Sequence, residues 1–144
     1  MPSSNEPARD EIDSLFHLSL SLHHLNRDIE RKFKLSLVQL FVLLRLRHMP
    51  ATCSKVLAAA VGIHPSTLTQ TLRRLERKEY IFVAADPRDS RRKLISLTRS
   101  GCQAIEIGYR DLKGVLGSIG RDAPHSLENS LLHLTLVRKR MAEV

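Results

Sequence analysis

The sequence has 144 residues, of which 42% are hydrophobic and 26% are charged. A chain of this length and composition is typical of one globular domain that buries about two-thirds of its unfolded surface, which excludes a disordered or low-complexity chain. Lysine and arginine outnumber aspartate and glutamate by 23 to 15, and the resulting net charge of +8 favours a polyanionic partner.

The apolar runs of the sequence are short and its first residues are polar, and both features indicate where in the cell the protein is expected. The longest runs, such as 40–44 and 56–61, fall far short of the roughly 20 residues that a membrane span needs. The first eleven residues are polar and include three acids, unlike a secretory signal. We therefore expect a cytoplasmic protein with no membrane partner. Cys53 and Cys102 are expected to be free thiols, and a buried structural role is favoured over a redox switch for each.

Two amphipathic helices are predicted to open the chain. In the first, seven apolar residues recur every three or four positions over about six turns, and Phe16 broadens their face. These seven are Ile12, Leu15, Leu18, Leu22, Leu25, Ile29 and Phe33. The second helix is predicted from Ser36, a suitable N-cap, to Arg47, before Pro50. Its apolar side comprises Leu37, Leu40, Phe41 and Leu44.

A helix-turn-helix is predicted next. A short helix over 55–61 can be capped by Thr52 or Ser54 and is halted by Gly62, because glycine is common at helix C-termini. The following helix has Pro65 at its first position, a placement that favours helix initiation. Its leucines, Leu68, Leu72 and Leu75, share one face. The opposite face and its flanks carry hydrogen-bonding side chains, namely Ser66, Thr67, Thr69, Gln70, Arg73, Arg74 and Arg77.

A β-hairpin with a charged tip follows. Strands are predicted over 80–85 and 94–97, with a loop over 86–93 between them. The tip carries four basic residues, Arg88, Arg91, Arg92 and Lys93, and two acids, Asp86 and Asp89. Either carboxylate can hold an arginine side chain in an extended pose.

Two more helices are predicted to complete a mainly α fold with a small β-hairpin. Thr98 caps the first, which runs to about 117 and is weakened by Gly101, Gly108 and Gly114. The last helix is predicted over 124–143. Its apolar stripe comprises Leu127, Leu131, Leu134, Val137 and Met141.

The basic excess is concentrated in the middle of the chain. Ten basic and four acidic residues lie between Lys55 and Arg99, whereas the other 99 residues carry thirteen bases and eleven acids. Such a local excess favours phosphate backbones, with nucleic acid favoured over a membrane surface. A solvated basic face is the alternative.

The order of these elements indicates a winged helix-turn-helix. A helix fits the major groove of B-DNA, where glutamine pairs with adenine and arginine with guanine, while serine and threonine suit bases or phosphates. Arginines on a hairpin tip suit the narrow minor groove. A polar helix face is by itself also consistent with simple solvation. The consecutive order of the parts, together with the basic excess on them, favours binding to double-stranded DNA.

Residues 51–101 resemble the MarR family of bacterial transcription regulators. The specific part is DPRDSRRKLISLTRSG, residues 86–101, which is similar to the family's Asp-x-Arg wing motif, a strand and a Leu-Thr-x-x-Gly helix start. The resemblance implies a homodimer in which the first helix and the last two helices interlock. It assigns Ser66, Thr67, Thr69 and Gln70 to the base-reading and phosphate-contacting segment, Arg91 to the wing tip, and Asp86 and Arg88 to the tip's support.

Two positions depart from the family pattern. The recognition helix ends in Leu75-Glu-Arg-Lys-Glu79 where Leu-Glu-x-x-Gly is usual, so Glu79 replaces a glycine that would adopt a left-handed conformation. Pro65 stands where lysine or another polar residue is common. His64 can compensate for the lost phosphate contact or can simply face water.

The resemblance also implies a cleft between the dimer helices and the winged region that takes small aromatic compounds. Its candidate lining is Phe16, Leu20, His24, Phe41 and His48, although core packing is favoured for all five. We expect no enzyme, no cofactor and no metal site. The sequence contains no catalytic or zinc motif, and the neighbours His23 and His24 point about 100° apart on a helix.

The sequence therefore predicts a single domain over 1–144, with a winged helix-turn-helix region at 36–98 and dimerisation helices at 10–34 and 99–144. The expected function is that of a ligand-responsive repressor that binds a pseudo-palindromic operator as a homodimer. The alternative is an antirepressor-like protein-interaction dimer on the same scaffold, which has no need of a basic wing.

Overall fold

The computed structural model describes residues 6–117 and then residues 129, 131, 132, 134–136, 139, 141 and 142. Its elements are α1 (Glu6–Phe33), α2 (Leu37–His48), α3 (Ser54–Val61), α4 (Pro65–Arg77), β1 (Ile81–Asp86), β2 (Asp89–Leu97) and α5 (Arg99–Gly117). The predicted mainly α fold with one β-hairpin is thus confirmed. Two compact units are formed, Met1–Gly108 and Tyr109–Val144. No helix within the described ranges is long and apolar enough to cross a membrane.

The core of the first unit lies among α2, α3, α4, the hairpin and the start of α5. Its fully buried side chains are aliphatic, namely Val42, Leu43, Leu46, Leu57, Leu68, Leu75, Ile81 and Ile105. The leucine face predicted for α4 is confirmed, because Leu68 and Leu75 are buried and Leu72 is half-buried. Burying each such side chain contributes about 1.5 to 3 kcal/mol, so these leucines fix the rotation of α4 about its axis.

The helix α2 begins as predicted but buries a different face. The Ser36 hydroxyl accepts from the Gln39 backbone N–H, and the Gln39 side chain accepts from the Ser36 N–H, which is a reciprocal capping box. Leu37 and Phe41, both on the predicted apolar side, are exposed. The buried residues are Gln39, Leu40, Val42, Leu43 and Leu46. The predicted face was wrong because α2 is apolar almost all round, and spacing alone then selects no side.

The helix α3 begins one position away from either predicted cap. Its N-cap is Cys53, whose side chain makes no capping hydrogen bond. Thr52 pairs instead with Ile95 of β2 through two backbone hydrogen bonds of 3.2 and 2.7 Å, which holds the chain extended just before the helix. The predicted end is confirmed, because Gly62 adopts a left-handed conformation with φ 75°.

A Schellman motif ends α4 at Glu79. The Glu79 N–H donates to the Glu76 carbonyl at 2.9 Å, and the Tyr80 N–H donates to the Leu75 carbonyl at 3.0 Å. Glu79 has φ 58°, so this position keeps the left-handed conformation, and not another turn geometry, although the residue is not glycine.

Replacing Glu79 with glycine is expected to raise the free energy of unfolding by about 0.5 to 1 kcal/mol, because glycine adopts a positive φ without steric cost. Urea or thermal melts measure the change. Glu79→Ala is the matched control: it removes the same carboxylate but keeps the strained conformation. A clear loss of stability in Glu79→Gly would contradict this account of the cap.

The hairpin is tighter than predicted. β1 and β2 pair antiparallel from Ile81 with Leu97 to Ala85 with Lys93. The predicted loop over 86–93 was wrong, because only two residues, 87 and 88, separate the strands. The Asp86 carboxylate accepts from the Arg88 N–H at 2.9 Å, and the Asp89 carboxylate accepts from the Arg91 N–H at 3.0 Å. These bonds close the tip on its own backbone, as aspartate commonly does in turns.

The helix α5 starts in close contact with Glu79 and Tyr80, which lie just after α4. The Thr98 hydroxyl accepts from the Gly101 N–H at 3.0 Å, which confirms the predicted cap, and donates to the Glu79 carbonyl at 2.7 Å. A Cβ atom at Gly101 would lie 2.1 Å from the Tyr80 carbonyl oxygen. Gly101, predicted only as a weak point in a helix, is therefore a position of close backbone approach.

The apolar stripe of α1 is mostly uncovered. Of its seven predicted residues, Ile29 is buried and Leu18 and Phe33 are half-buried. The exposed members are Ile12, Leu15, Leu22 and Leu25.

In the second unit, the described residues of the predicted last helix are all helical, and Leu131 and Met141 are exposed while Leu134 is half-buried. Leu127, Val137 and the remainder of the predicted helix 124–143 lie outside the described residues.

Candidate nucleic-acid interface

The outer face of α4 is fully available. All seven side chains predicted there are exposed, namely Ser66, Thr67, Thr69, Gln70, Arg73, Arg74 and Arg77. The two ion pairs found in the described part of the chain, Arg31 with Asp28 and Arg110 with Asp111, involve none of them. The three arginines of α4 thus present charge that no described acid neutralises.

The first turn of α4 is organised by a histidine. His64 is the N-cap, and its Nδ1 accepts from the Ser66 backbone N–H at 3.3 Å. The Ser66 Oγ lies 2.8 Å from the same Nδ1. Pro65, at the first helical position, has no N–H to be satisfied. His64 is exposed, yet it is bonded within the helix start and does not merely face water.

The wing tip is basic and exposed. Arg88, Arg91, Arg92 and Lys93 all face solvent. After the pair Ala85 and Lys93, the next pair is Asp86 with Asp89, so residues 90–92 have no partner in β1 and bulge from the ladder. The structure thus places Arg91 and Arg92 on an irregular stretch and not in the predicted loop.

The acids at the tip act on the backbone. We expected Asp86 or Asp89 to hold an arginine side chain, but neither carboxylate forms an ion pair in the described part of the structure. Both accept backbone N–H groups instead. A short side chain two residues before an amide reaches that amide more readily than a distant guanidinium, so the local bond forms and the arginine side chains make no ion pair with these two carboxylates.

The two cysteines are less buried than expected. Both are free thiols, but Cys53 is half-buried and Cys102 is exposed, so the prediction of buried thiols was wrong. The pKa of the Cys53 thiol is lowered, first because the backbone N–H of Val56 at the start of α3 lies near the sulfur and favours the thiolate, and second because of the Arg92 guanidinium. The Arg92 Nη2 lies 3.9 Å from the sulfur atom.

The candidate cleft residues are not part of the core. Phe16, Leu20, His24, Phe41 and His48 are all exposed, so the core packing favoured for these five does not occur within the single chain. They belong to parts of α1 and α2 that a single chain leaves uncovered. The Arg45 guanidinium lies 4.9 Å from the centre of the Phe41 ring, a cation–π arrangement.

Possible metal ligands are dispersed. The rings of His23 and His24 are 6.1 Å apart between centroids. Within the described ranges, no three histidine, cysteine or acidic side chains are grouped so that they could hold a metal ion.

Lys78 makes a contact that the sequence did not predict. Its ammonium donates to the Lys34 carbonyl oxygen and lies 3.4 Å from the Gln39 Oε1. These partners are 44 and 39 positions away, and no local pattern in the sequence signals such contacts. The bonds tie the end of α4 to the junction between α1 and α2.

A short helix, a glycine turn, an exposed polar helix and a basic hairpin together define a winged helix-turn-helix protein. Residues 35–93 match the family model described as "MarR family", which confirms the resemblance found in the sequence. The winged segment is therefore similar to the MarR family of transcription regulators.

Solved structures share the fold at low identity. A MarR family transcription regulator is 17% identical, with a TM-score of 0.72, covering 98% of this chain and 99% of its own. A MepR mutant from S. aureus bound to an oligodeoxyribonucleotide is 23% identical, with a TM-score of 0.55 and coverages of 88% and 96%. PcaV from Streptomyces coelicolor, in complex with its natural ligand, is 21% identical, with a TM-score of 0.66 and coverages of 83% and 89%. No curated protein matches the sequence.

Proposed function

We propose that the protein is a non-enzymatic cytoplasmic repressor that binds a pseudo-palindromic operator in double-stranded DNA as a homodimer and is released by a small aromatic ligand. The observation that carries this proposal is the exposed basic surface of α4 and the wing, whose arginines have no acidic partner in the described part of the chain. A surface of that kind binds phosphate backbones through counterion release.

The two parts of this surface suit different grooves. The α4 face combines glutamine, serine, threonine and arginine, which are the side chains that pair with base edges in the major groove. The wing offers Arg88, Arg91, Arg92 and Lys93, and arginine suits the electronegative minor groove. Asp86 and Asp89 support the wing by bonding its backbone.

The uncovered apolar stripe of α1 supports a homodimer. Soluble monomers rarely expose a long contiguous apolar face, and Ile12 and Leu25 are 67% and 52% exposed in the single chain. A second copy packed on this stripe, together with the C-terminal helices, would bury these residues. It would also present two α4 helices for successive major grooves about 34 Å apart.

A ligand site bordered by α1 and α2 is consistent with the exposure of the five candidate cleft residues. Phe16 and Phe41 offer aromatic faces, and His24 and His48 offer hydrogen-bonding groups suited to a phenol or carboxylate. A ligand that alters the spacing of the two α4 helices would shift the equilibrium away from the DNA-binding state.

Binding to mixed duplex DNA at two salt concentrations tests the proposal. Electrostatic contact with the backbone predicts an affinity that falls steeply as salt rises. The protein-interaction alternative has no use for a basic wing, and it would be supported by affinity that is absent or insensitive to salt.

Replacing Arg91 with alanine is expected to weaken binding to all duplex sequences and to lower the salt slope by about one for each wing that contacts DNA. Fluorescence anisotropy over a salt series measures both quantities. Arg31→Ala, which removes one charge from α1, is the control and should leave the slope unchanged. An unaltered slope in Arg91→Ala would remove this residue from the DNA contacts.

A further inference from the structure

The Ser66 hydroxyl has its hydrogen atom committed to His64. The Nδ1 of His64 accepts from the Ser66 backbone N–H at 3.3 Å, and because an amide nitrogen can only donate, this ring nitrogen carries no proton. The Ser66 Oγ lies 2.8 Å from the same unprotonated nitrogen. The hydroxyl must therefore be the donor in that contact, and its lone pairs are left for any other partner.

The Thr69 hydroxyl is committed in the same way. Its Oγ1 lies 2.9 Å from the Pro65 carbonyl oxygen, which can only accept, so Thr69 donates its hydrogen to the backbone. Both Ser66 and Thr69 are exposed on the outer face of α4. The single hydrogen of each hydroxyl is therefore already bonded within the protein. Each hydroxyl oxygen can still accept a hydrogen bond from a partner outside the protein.

Serine and threonine hydroxyls ordinarily bind either donors or acceptors on DNA. Phosphate oxygens, the N7 and O6 of guanine and the O4 of thymine are all acceptors, so an acceptor-only hydroxyl gains nothing from them. The exocyclic amino groups of adenine and cytosine are the donors of the major groove.

We propose that Ser66 and Thr69 are specificity-determining residues that accept hydrogen bonds from adenine N6 or cytosine N4 amino groups and do not contact phosphates. His64 is the positioning residue that holds the Ser66 hydroxyl in this orientation. The inference rests on the proposed function, since it concerns how α4 reads the duplex.

Thr71 provides the matched control. Its hydroxyl donates to the Thr67 carbonyl at 2.9 Å, the same bond to the residue four positions earlier that Thr69 makes. Thr71 is buried, however, with 8% of its surface exposed. Thr71→Val should therefore leave DNA affinity unchanged, whereas Thr69→Val, an equal change in composition, should reduce it.

Double-mutant cycles between protein and DNA test the proposal. A tight-binding duplex is first selected from a randomised library with the wild-type protein. Ser66→Ala and Thr69→Val are then measured on duplexes that lack one functional group at a time. Purine in place of adenine, or pyrimidin-2-one in place of cytosine, removes an amino group; 7-deazapurines remove N7, and methylphosphonates neutralise a phosphate.

Each variant is expected to lose about fivefold in affinity on the selected duplex, as for one neutral hydrogen bond. That loss should vanish on the duplex that lacks one particular amino group and persist on all others. A loss that vanishes on a methylphosphonate or 7-deazapurine duplex, or no loss at all, would overturn the proposal while leaving the protein a DNA-binding protein. Failure to select any duplex would overturn the proposed function itself.

Variants of His64 test whether this residue orients the Ser66 hydroxyl or only stabilises the start of α4. His64→Ala frees the Ser66 hydroxyl to rotate, so the coupling of Ser66 to the amino group should weaken while that of Thr69 remains. His64→Asn restores an accepting oxygen at the N-cap and should restore the coupling. Equal effects of His64→Ala on both couplings would indicate a general loss of helix structure and would contradict the positioning role.

Discussion

Replacing Gly101 with alanine is expected to lower the free energy of unfolding by about 3 kcal/mol, at the upper end of the usual cost of overpacking. The new Cβ would lie 2.1 Å from the Tyr80 carbonyl oxygen and 2.9 Å from the Leu97 Cδ1. The carbonyl belongs to the backbone and accepts from the Thr98 N–H at 3.0 Å, so it cannot move without breaking that bond. Urea denaturation of the two proteins measures the difference.

The same substitution elsewhere in α5 is the control. A Cβ at Gly114 meets no atom within 4 Å. Gly114→Ala should therefore gain up to about 1 kcal/mol from helix propensity. If both variants changed stability by the same amount, the close approach of α5 to Tyr80 would be wrong.

Replacing Gln70 with alanine is expected to cost about 1 to 3 kcal/mol of binding free energy on the preferred duplex and to relax the preference at one base position. Gln70 lies on the exposed face of α4, and its amide can bond an adenine edge through two atoms. Affinities on duplexes that vary one base pair at a time measure the effect. Equal losses on every sequence would make Gln70 a backbone contact.

Gln103→Ala is the control for this experiment. Gln103 is an exposed glutamine on α5, so its loss changes composition in the same way without altering α4. Its affinities should match those of the wild type on every duplex.

Local signals predicted the helix ends and the orientation of α4. The hydroxyls of Ser36 and Thr98 accept backbone N–H groups at the starts of α2 and α5, as predicted. Gly62 ends α3 in a left-handed conformation, as glycine commonly does. On α4, apolar and polar residues separate cleanly, so the buried and exposed faces follow from the period of the helix. These features depend on residues within a few positions of one another.

Features that depend on tertiary contacts could not be predicted. The apolar pattern of α2 left several faces possible, and packing against α3, β2 and α4 decided between them. The turn of the hairpin is shorter than predicted, and the Asp86 and Asp89 carboxylates accept hydrogen bonds from backbone N–H groups two residues further on. Lys78 bonds to residues in another part of the chain, which nothing in its own neighbourhood indicates.

The sequence predicted which residues form the candidate site but not the hydrogen bonds that their side chains make. The residues proposed to contact DNA are all exposed, as the amphipathic pattern of α4 and the charge of the hairpin suggest. The committed hydroxyls of Ser66 and Thr69 depend on rotamers and on the placement of His64, which residue spacing does not specify. Exposure of the α1 stripe likewise became apparent only when the packing of one chain was known.

A hydroxyl-radical footprint of a selected duplex is the most direct test of whether α4 and the wing contact one DNA molecule together. We expect two protected regions one helical turn apart, each flanked by a minor-groove segment whose protection is lost in Arg91→Ala while the central protection remains. A footprint that lacks flanking protection, or one that Arg91→Ala leaves intact, would contradict joint contact by α4 and the wing.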